Sequence, residues 1–121
     1  MYDHIGLRVR DMAASVRFYE AALAPLGFAL CSRDEQYAGF GPAGAPAFWL
    51  VATTGGGSAV HVAFTAGSRA AVDRFHRAGV ESGGRDHGAP GLRLDYGPTY
   101  YASFLLDPDG NNVEAVCTTA A

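Results

Sequence analysis

The segment HIGLRVRDMAASVRF, residues 4–18, is matched 57 residues later by HVAFTAGSRAAVDRF, residues 61–75. The two copies share an opening histidine and the string Ala-Ala-x-x-Arg-Phe without a gap, and Gly27 recurs at the same separation as Gly84. A histidine, this string and a glycine in one order are hard to obtain by chance, so the match indicates an internal repeat. The sequence therefore predicts a duplication that gives two halves of the same fold.

Each copy predicts a strand followed by a helix. Residues 5–9 alternate between apolar and other side chains, which is typical of a strand with one buried face. Asp11 offers an N-cap oxygen to the helix that follows, and Pro25 with Gly27 ends it. In the second copy, we expect a short strand at residues 61–64 and then a helix.

That second helix is predicted to begin after Ser68 and to end at Gly79. The β-like runs that follow the two helices are residues 28–31, 37–40 and 47–52 in the first half, and 92–96, 100–106 and 112–117 in the second. Residues 107–110, Asp-Pro-Asp-Gly, favour a turn, so the last two runs should form an antiparallel hairpin. Each half is therefore predicted to be βαβββ.

These elements predict one α+β domain of two paired βαβββ modules over residues 1–121. Module one covers about residues 1–54 and module two about residues 59–121. The glycine-rich segment at residues 54–58 is the expected linker, since its composition is typical of a flexible connection. A chain of this length is too short for two domains with separate cores.

Composition narrows the classes of partner. Hydrophobic residues make up 49% of the chain and charged residues 17%, which allows a buried core. The scattered 9 basic and 12 acidic residues give a formal net charge of −3, which argues against a nucleic-acid partner. No apolar window reaches the roughly 18 residues of a membrane span, and the first residues lack the pattern of a signal peptide. We therefore expect no membrane partner and a cytoplasmic location.

Three residues form a candidate metal site. His4 and His61 start equivalent strands, so pairing of the two halves about a pseudo-two-fold axis would bring them together. Glu114 lies in an otherwise apolar strand, where a carboxylate needs a partner. Two imidazoles and one carboxylate suit divalent Fe, Mn, Zn, Ni or Co and leave coordination positions open. The alternative is that the histidines are hydrogen-bonded structural residues and that Glu114 is a surface charge.

Proton transfer would need further groups near this site. Tyr101 and His87 are the candidates for this proton transfer, and Glu114 is the remaining candidate catalytic residue. His87 falls in a predicted loop at residues 83–91. Tyr100 and Tyr101 point to opposite faces of their strand, so only one of them can face the site, and the pattern does not decide which.

The quoted repeat, together with FLLDPDGNNVE at residues 104–114, resembles the vicinal oxygen chelate superfamily. This superfamily includes glyoxalase I, bleomycin-resistance proteins, fosfomycin-resistance transferases and extradiol dioxygenases. The resemblance implies paired modules that form a half-open barrel, usually in a homodimer, with a metal inside. His4, His61 and Glu114 match the family's ligand positions. The position that is often a glutamate in glyoxalase I falls in residues 47–51, AFWLV, which contain no ligand.

Two functions follow from this resemblance. The first is a metal-dependent enzyme, a lyase, isomerase, dioxygenase or thiol transferase, whose small oxygenated substrate chelates the ion. The second is a metal-free protein of the bleomycin-resistance type that binds a drug or metabolite in an apolar cup. Because one fold hosts many reactions, the residues leave the choice between them open.

Overall fold

The computed structural model describes residues 1–120, which contain eight strands and two α-helices in the order βαβββ twice. Module one contains β1 Ile5–Val9, α1 Met12–Leu23, a short 3-10 helix Ala24–Leu26, β2 Ala29–Arg33, β3 Tyr37–Gly41 and β4 Phe48–Ala52. Module two contains β5 His61–Thr65, α2 Arg69–Glu81, β6 Arg85–Leu92, β7 Tyr101–Leu106 and β8 Asn112–Cys117. Neither helix in this part of the chain is long and apolar enough to cross a membrane.

The strands form two four-stranded sheets with the same topology. Sheet one has the order β1-β4-β3-β2 and sheet two the order β5-β8-β7-β6. In each sheet the first strand runs parallel to its neighbour, and the remaining pairs are antiparallel. The predicted α+β fold of two paired βαβββ modules is confirmed.

The two helices begin in the same way. The Asp11 side chain accepts a hydrogen bond from the Ala14 backbone amide at 3.0 Å, and Ser68 does the same for Ala71 at 3.1 Å. Each cap satisfies an amide that the first helical turn leaves without a partner. The caps are 57 residues apart, the same separation as in the sequence repeat.

Helix α2 continues past its predicted end at Gly79 and finishes at Glu81. Gly79 serves as a contact point inside the helix, because a Cβ atom there would lie 2.3 Å from Leu105 Cδ1 and 3.2 Å from Phe18 Cε1. The glycine therefore permits a close approach of α2 to β7 and α1, and the prediction that it ends the helix is wrong.

The region before β7 also differs from the prediction. The predicted loop at residues 83–91 is mostly strand β6, and the predicted strand at residues 92–96 is largely a turn that extends to Tyr100. Strand β6 lies at the edge of sheet two and shifts register twice. An edge strand tolerates the missing amide of Pro90 and the weak strand propensity of its glycines, which explains why the sequence resembles a loop.

Each sheet packs one face against the helices, and this face supplies the shared core of the two modules. We call the opposite face of each sheet its outer face. By strand alternation, the outer face of sheet one carries Gly6, Tyr37, Gly39, Trp49 and Val51, and that of sheet two carries His61, Ala63, Phe104, Asn112 and Glu114.

The Asp-Pro-Asp-Gly turn ties the modules together. Asp107 is buried, and its carboxylate accepts four hydrogen bonds. The donors are the Tyr19 hydroxyl at 2.5 Å, the Asp109 amide at 2.9 Å, and the backbone and side-chain amides of Asn111 at 2.8 and 2.9 Å. Tyr19 comes from α1, so this bond crosses between modules, and burial together with Asp107 raises the pKa of its phenol well above the usual value. We call residues 107–111 the clamp turn.

Candidate metal and substrate site

His61 and Glu114 meet on the outer face of sheet two. Strands β5 and β8 are parallel neighbours, and their register places Ala63 beside Glu114. His61 Nε2 lies 2.9 Å from Glu114 Oε1, and the Glu114 side chain is only 3% exposed while that of His61 is 49% exposed. The site therefore consists of a buried carboxylate and an imidazole that solvent can reach.

A backbone carbonyl fixes the orientation of the imidazole. His61 Nδ1 lies 3.1 Å from the Asn112 carbonyl oxygen, which can only accept a hydrogen bond. Nδ1 is therefore the protonated nitrogen, and Nε2 faces Glu114, where either a proton or a metal ion can join the two groups. A backbone carbonyl that orients a histidine in this way is typical of histidines that bind metal ions.

The other oxygen of Glu114 accepts a short hydrogen bond from the Tyr100 hydroxyl. Partial burial, followed by the bond to Glu114, raises the pKa of Tyr100 to about 12. The ring of Tyr96 packs edge-on against Tyr100, with centroids 5.3 Å apart. The phenol thus remains protonated at neutral pH and holds the carboxylate in place.

Tyr101, the tyrosine that we expected at the site, lies on the other face of β7. Its hydroxyl donates to Asp73 Oδ1 on α2 at 2.7 Å, and the guanidinium of Arg69 lies over its ring. The expectation for Tyr101 is corrected, and Tyr100 takes its place beside Glu114. The register of the β7–β8 hairpin decides between the two tyrosines, because it pairs Phe104 with Glu114 and so puts the even-numbered residues of β7 on the outer face.

Replacement of Tyr100 by phenylalanine should remove a tyrosine that ionises only near pH 12. In an ultraviolet titration, the wild-type protein should show one more tyrosinate than Tyr100→Phe, and the difference should appear only at that alkaline end. The raised pKa means that the contribution of Tyr100 to stability is present below the unfolded value near 10 and is lost as pH rises through about 12. A difference that was complete by pH 10 would contradict the Tyr100–Glu114 bond.

His4 is placed apart from the pair. Its side chain is 61% exposed and its Nδ1 lies 2.7 Å from Asp3 Oδ1. Within residues 1–120, no three histidine, cysteine, aspartate or glutamate side chains come close enough together to hold an ion. The structure thus brings His61 and Glu114 together within the chain but does not bring His4 to them.

His87 is exposed on β6, at the irregularity between Asp86 and Gly88. Within the described part of the chain, no hydrogen bond connects it to the His61–Glu114 pair. The remaining histidine, His76, donates from Nε2 to Asp86 Oδ1 at 2.9 Å on the helix side of the module. Neither of these two imidazoles contacts the candidate site.

Sheet one presents an aromatic wall instead of an acid. Its register pairs Gly6 with Trp49, which is the position that Glu114 occupies beside Ala63 in sheet two. The indole lies flat over Gly39, where a Cβ atom would come within 2.7 Å of the ring. Trp49 and Gly6 line a shallow hollow on the outer face of sheet one together with His4, Tyr37 and Val51.

A second, apolar cavity of about 240 Å³ lies between the modules. Its walls include residues of both sheets, and Asp3 and His4 also line it. Four of the wall residues are phenylalanines, namely Phe28, Phe40, Phe48 and Phe64. A cavity of this size and lining could hold one or two aromatic rings, since a smaller apolar cavity of roughly 150 Å³ binds benzene.

The geometry of the His61–Glu114 pair fits a divalent ion. Two ligand atoms that each lie about 2.1 Å from one ion at adjacent coordination positions are about 3 Å apart. The 2.9 Å between Nε2 and Oε1 agrees with that value, and it is equally the length of a direct N–H···O hydrogen bond. The side-chain oxygen of Asn112, on the same face, is buried without a hydrogen-bond partner among residues 1–120.

Comparisons with known proteins agree on one family. A sequence model of the Glyoxalase/Bleomycin resistance protein/Dioxygenase superfamily matches residues 2–115. The chain is similar to the structure of a glyoxalase/bleomycin resistance protein from Albidiferax ferrireducens, with 28% identity, 96% of this chain and 97% of that chain covered, and a TM-score of 0.83. No curated protein matches the sequence.

Two further structures extend the comparison. A variant of glyoxalase I from Zea mays is 27% identical over 97% of this chain and 46% of its own, with a TM-score of 0.73. A glyoxalase/bleomycin resistance protein/dioxygenase family enzyme from Burkholderia phytofirmans is 20% identical, covers 97% of this chain and 98% of its own, and has a TM-score of 0.72, a likeness of fold alone.

Proposed function

Since the chain belongs to the glyoxalase/bleomycin resistance protein/dioxygenase superfamily, we propose that it is an enzyme that binds a divalent metal ion and acts on a small oxygenated metabolite. The observation that carries the proposal is the His61–Glu114 pair, whose Nε2 and Oε1 atoms lie 2.9 Å apart. The Asn112 carbonyl orients the imidazole and Tyr100 orients the carboxylate. Each of these two bonds restricts the orientation of the side chain that it holds.

A purely structural ion pair explains these features less well. A structural pair is normally inside the core or between two surface side chains, whereas here a buried carboxylate faces a half-exposed imidazole at the edge of a sheet. A bound ion with its own water or substrate ligands would satisfy both groups.

We further propose that His4 of a second copy supplies the third ligand. Within residues 1–120, β1 pairs only with β4 and β5 only with β8, so both are edge strands. Unpaired strand edges favour pairing with another chain, and a two-fold dimer would use the same pair of edges twice. Pairing of β1 with β5 from the second copy would bring His4 to the outer face of sheet two and would form a homodimer.

The ion would act as a Lewis acid that stabilises negative charge on a substrate oxygen. Side chains of the protein would transfer the proton and position the reacting groups. Glu114 would accept a proton from the substrate, and Tyr100, with its raised pKa, would keep its own proton and hold Glu114 in position. The Trp49 wall of the second copy would exclude water from one side of the substrate.

The metal content of the purified protein tests this function. After loading with Mn, Fe, Co, Ni or Zn and removal of free ions, the wild-type protein should retain about one ion per chain, and His61→Ala should retain almost none. His76→Ala is the matched control, because His76 also lies near a carboxylate but on the helix side of the module. The control should bind as the wild-type protein does.

If neither the wild-type protein nor His61→Ala retained any of these ions, the metal-dependent function would be wrong. The pair would then be structural, and a metal-free binding protein would be the better conclusion. The apolar cavity between the modules favours that second function, since its phenylalanine walls suit a drug or metabolite with an aromatic ring.

A further inference from the structure

Arg93 places a cation on the outer face of sheet two. Its guanidinium lies over the ring of Phe104, with Cζ 5.4 Å from the ring centroid. Nη2 donates to the Ala89 carbonyl at 2.6 Å, which fixes the plane of the group. No ion pair connects Arg93 to a carboxylate anywhere in residues 1–120, and its Nε and Nη1 atoms make no hydrogen bond in that range.

Two glycines of β6 make room for this arrangement. A Cβ atom at Gly88 would lie 2.8 Å from Phe104 Cδ1 and 3.4 Å from Arg93 Nη2. A Cβ atom at Gly91 would lie 3.1 Å from Arg93 Nη1. A side chain at either position would push the guanidinium off the ring, so the two glycines leave the space that the guanidinium occupies.

Arg93 is also close to the His61–Glu114 site. Phe104, on which it lies, is the cross-strand neighbour of Glu114, and the ring of His61 stacks on the same phenylalanine at 6.3 Å. The backbone amide of Arg93 donates to the Tyr100 carbonyl at 2.8 Å. The unpaired guanidinium and the imidazole therefore both lie against the ring of Phe104, and Glu114 is the cross-strand neighbour of this phenylalanine.

The rim of this site is apolar. Leu94 and Tyr96 follow Arg93 in the turn before β7, and they are 69% and 68% exposed. Tyr96 is held there by its edge-on contact with Tyr100. Exposed apolar residues at the mouth of a polar site provide a surface for the carbon skeleton of a ligand.

We propose that Arg93 binds an anionic group of the substrate, and that the substrate is an organic acid with a carboxylate or phosphonate beside a flat apolar group. A planar guanidinium with free donors binds such oxygen pairs through two parallel hydrogen bonds. Phe104 and Tyr96 would contact the apolar group. This inference rests on the proposed function for the position of the reacting atoms, but anion binding by Arg93 needs no metal.

Calorimetric titration of the full chain with benzoate and with phenylphosphonate tests the proposal. We expect at least one of these anions to bind the wild-type protein, and we expect Arg93→Met to weaken that binding by about 10- to 100-fold. Arg93→Lys keeps the charge but loses the fork, so it should fall between the two. Benzyl alcohol, which has the ring without the anion, should bind the wild-type protein and Arg93→Met equally weakly.

Arg77→Met is the matched control, because it removes one exposed cation from α2 and should leave anion binding unchanged. His61→Ala separates the two proposals. If this variant loses the metal but still binds the anions, both proposals are supported. If the wild-type protein binds the anions but no metal, Arg93 remains the anion site and the proposed metal-dependent function is wrong. The inference is overturned if Arg93→Met, with an unchanged melting temperature, binds the anions as tightly as the wild-type protein does. It is equally overturned if neither anion binds the wild-type protein with or without metal.

Discussion

Replacement of Asp107 with alanine is expected to lower the free energy of unfolding by about 3–5 kcal/mol. The substitution removes the acceptor of four hydrogen bonds and leaves the donors of Asn111 and Tyr19 buried without partners, while the Asp109 amide is part-buried. Most domains of this size are stable by only about 5–15 kcal/mol, so the variant should be close to unfolding. Denaturant unfolding followed by circular dichroism would measure the change.

Two matched variants locate the effect. Tyr19→Phe removes only the bond between modules and should cost about 1–2 kcal/mol. Asp95→Ala removes an exposed aspartate from the turn before β7 and should change stability by less than about 0.5 kcal/mol. A loss below about 1 kcal/mol for Asp107→Ala would show that Asp107 does not hold the modules together, and that role would fall to the bonds between Arg10 and Asp109 of the same turn.

Co-expression of His4→Ala with His61→Ala should restore metal binding that each variant lacks alone. If each site takes His61 from one chain and His4 from the other, a mixed dimer has one site with both ligands and one with neither. Random pairing makes about half of the dimers mixed, so the mixture should hold about one quarter of the wild-type metal content. Two different affinity tags would isolate the mixed dimer, which should hold about one ion.

The same experiment separates three arrangements. If both ligands came from a single chain, the mixed dimer would contain no complete site and would bind no more metal than its parents. If His4→Ala alone retained the wild-type metal content, His4 would not be a ligand in either arrangement. Elution as a dimer from a sizing column is the necessary control for the mixture.

The repeat, the caps and the hairpin made most of the fold predictable. Local signals carried these features: Asp11 and Ser68 precede periodic apolar segments, and the Asp-Pro-Asp-Gly turn lies between two β-like runs. Strand β6 was missed because its glycines and Pro90 serve close packing and an edge position, which depend on partners far away in sequence. Local propensity contains no information about such partners.

The candidate site was predictable only where the pattern implied neighbours. His61 and Glu114 were expected together, and they lie 2.9 Å apart. Strand alternation puts Tyr100 and Tyr101 on opposite faces but does not decide which of them faces the site, so naming Tyr101 as the catalytic candidate was wrong. The register of the β7–β8 hairpin decides it. The position of His4 stays a prediction, since pairing between copies is not encoded in any local spacing. The sequence pattern did not indicate the proposed role of Arg93, because that role depends on two glycines that leave space for its guanidinium.

The equivalence of Trp49 and Glu114 has a stereochemical consequence. A duplicated fold would naturally build a cleft with two identical walls, in which a small ligand could lie in either of two opposite orientations. Here one wall offers an acid and the other an indole at the same register position. In the proposed dimer a ligand between these walls would have one permitted orientation, so Glu114 would reach only one of two prochiral protons.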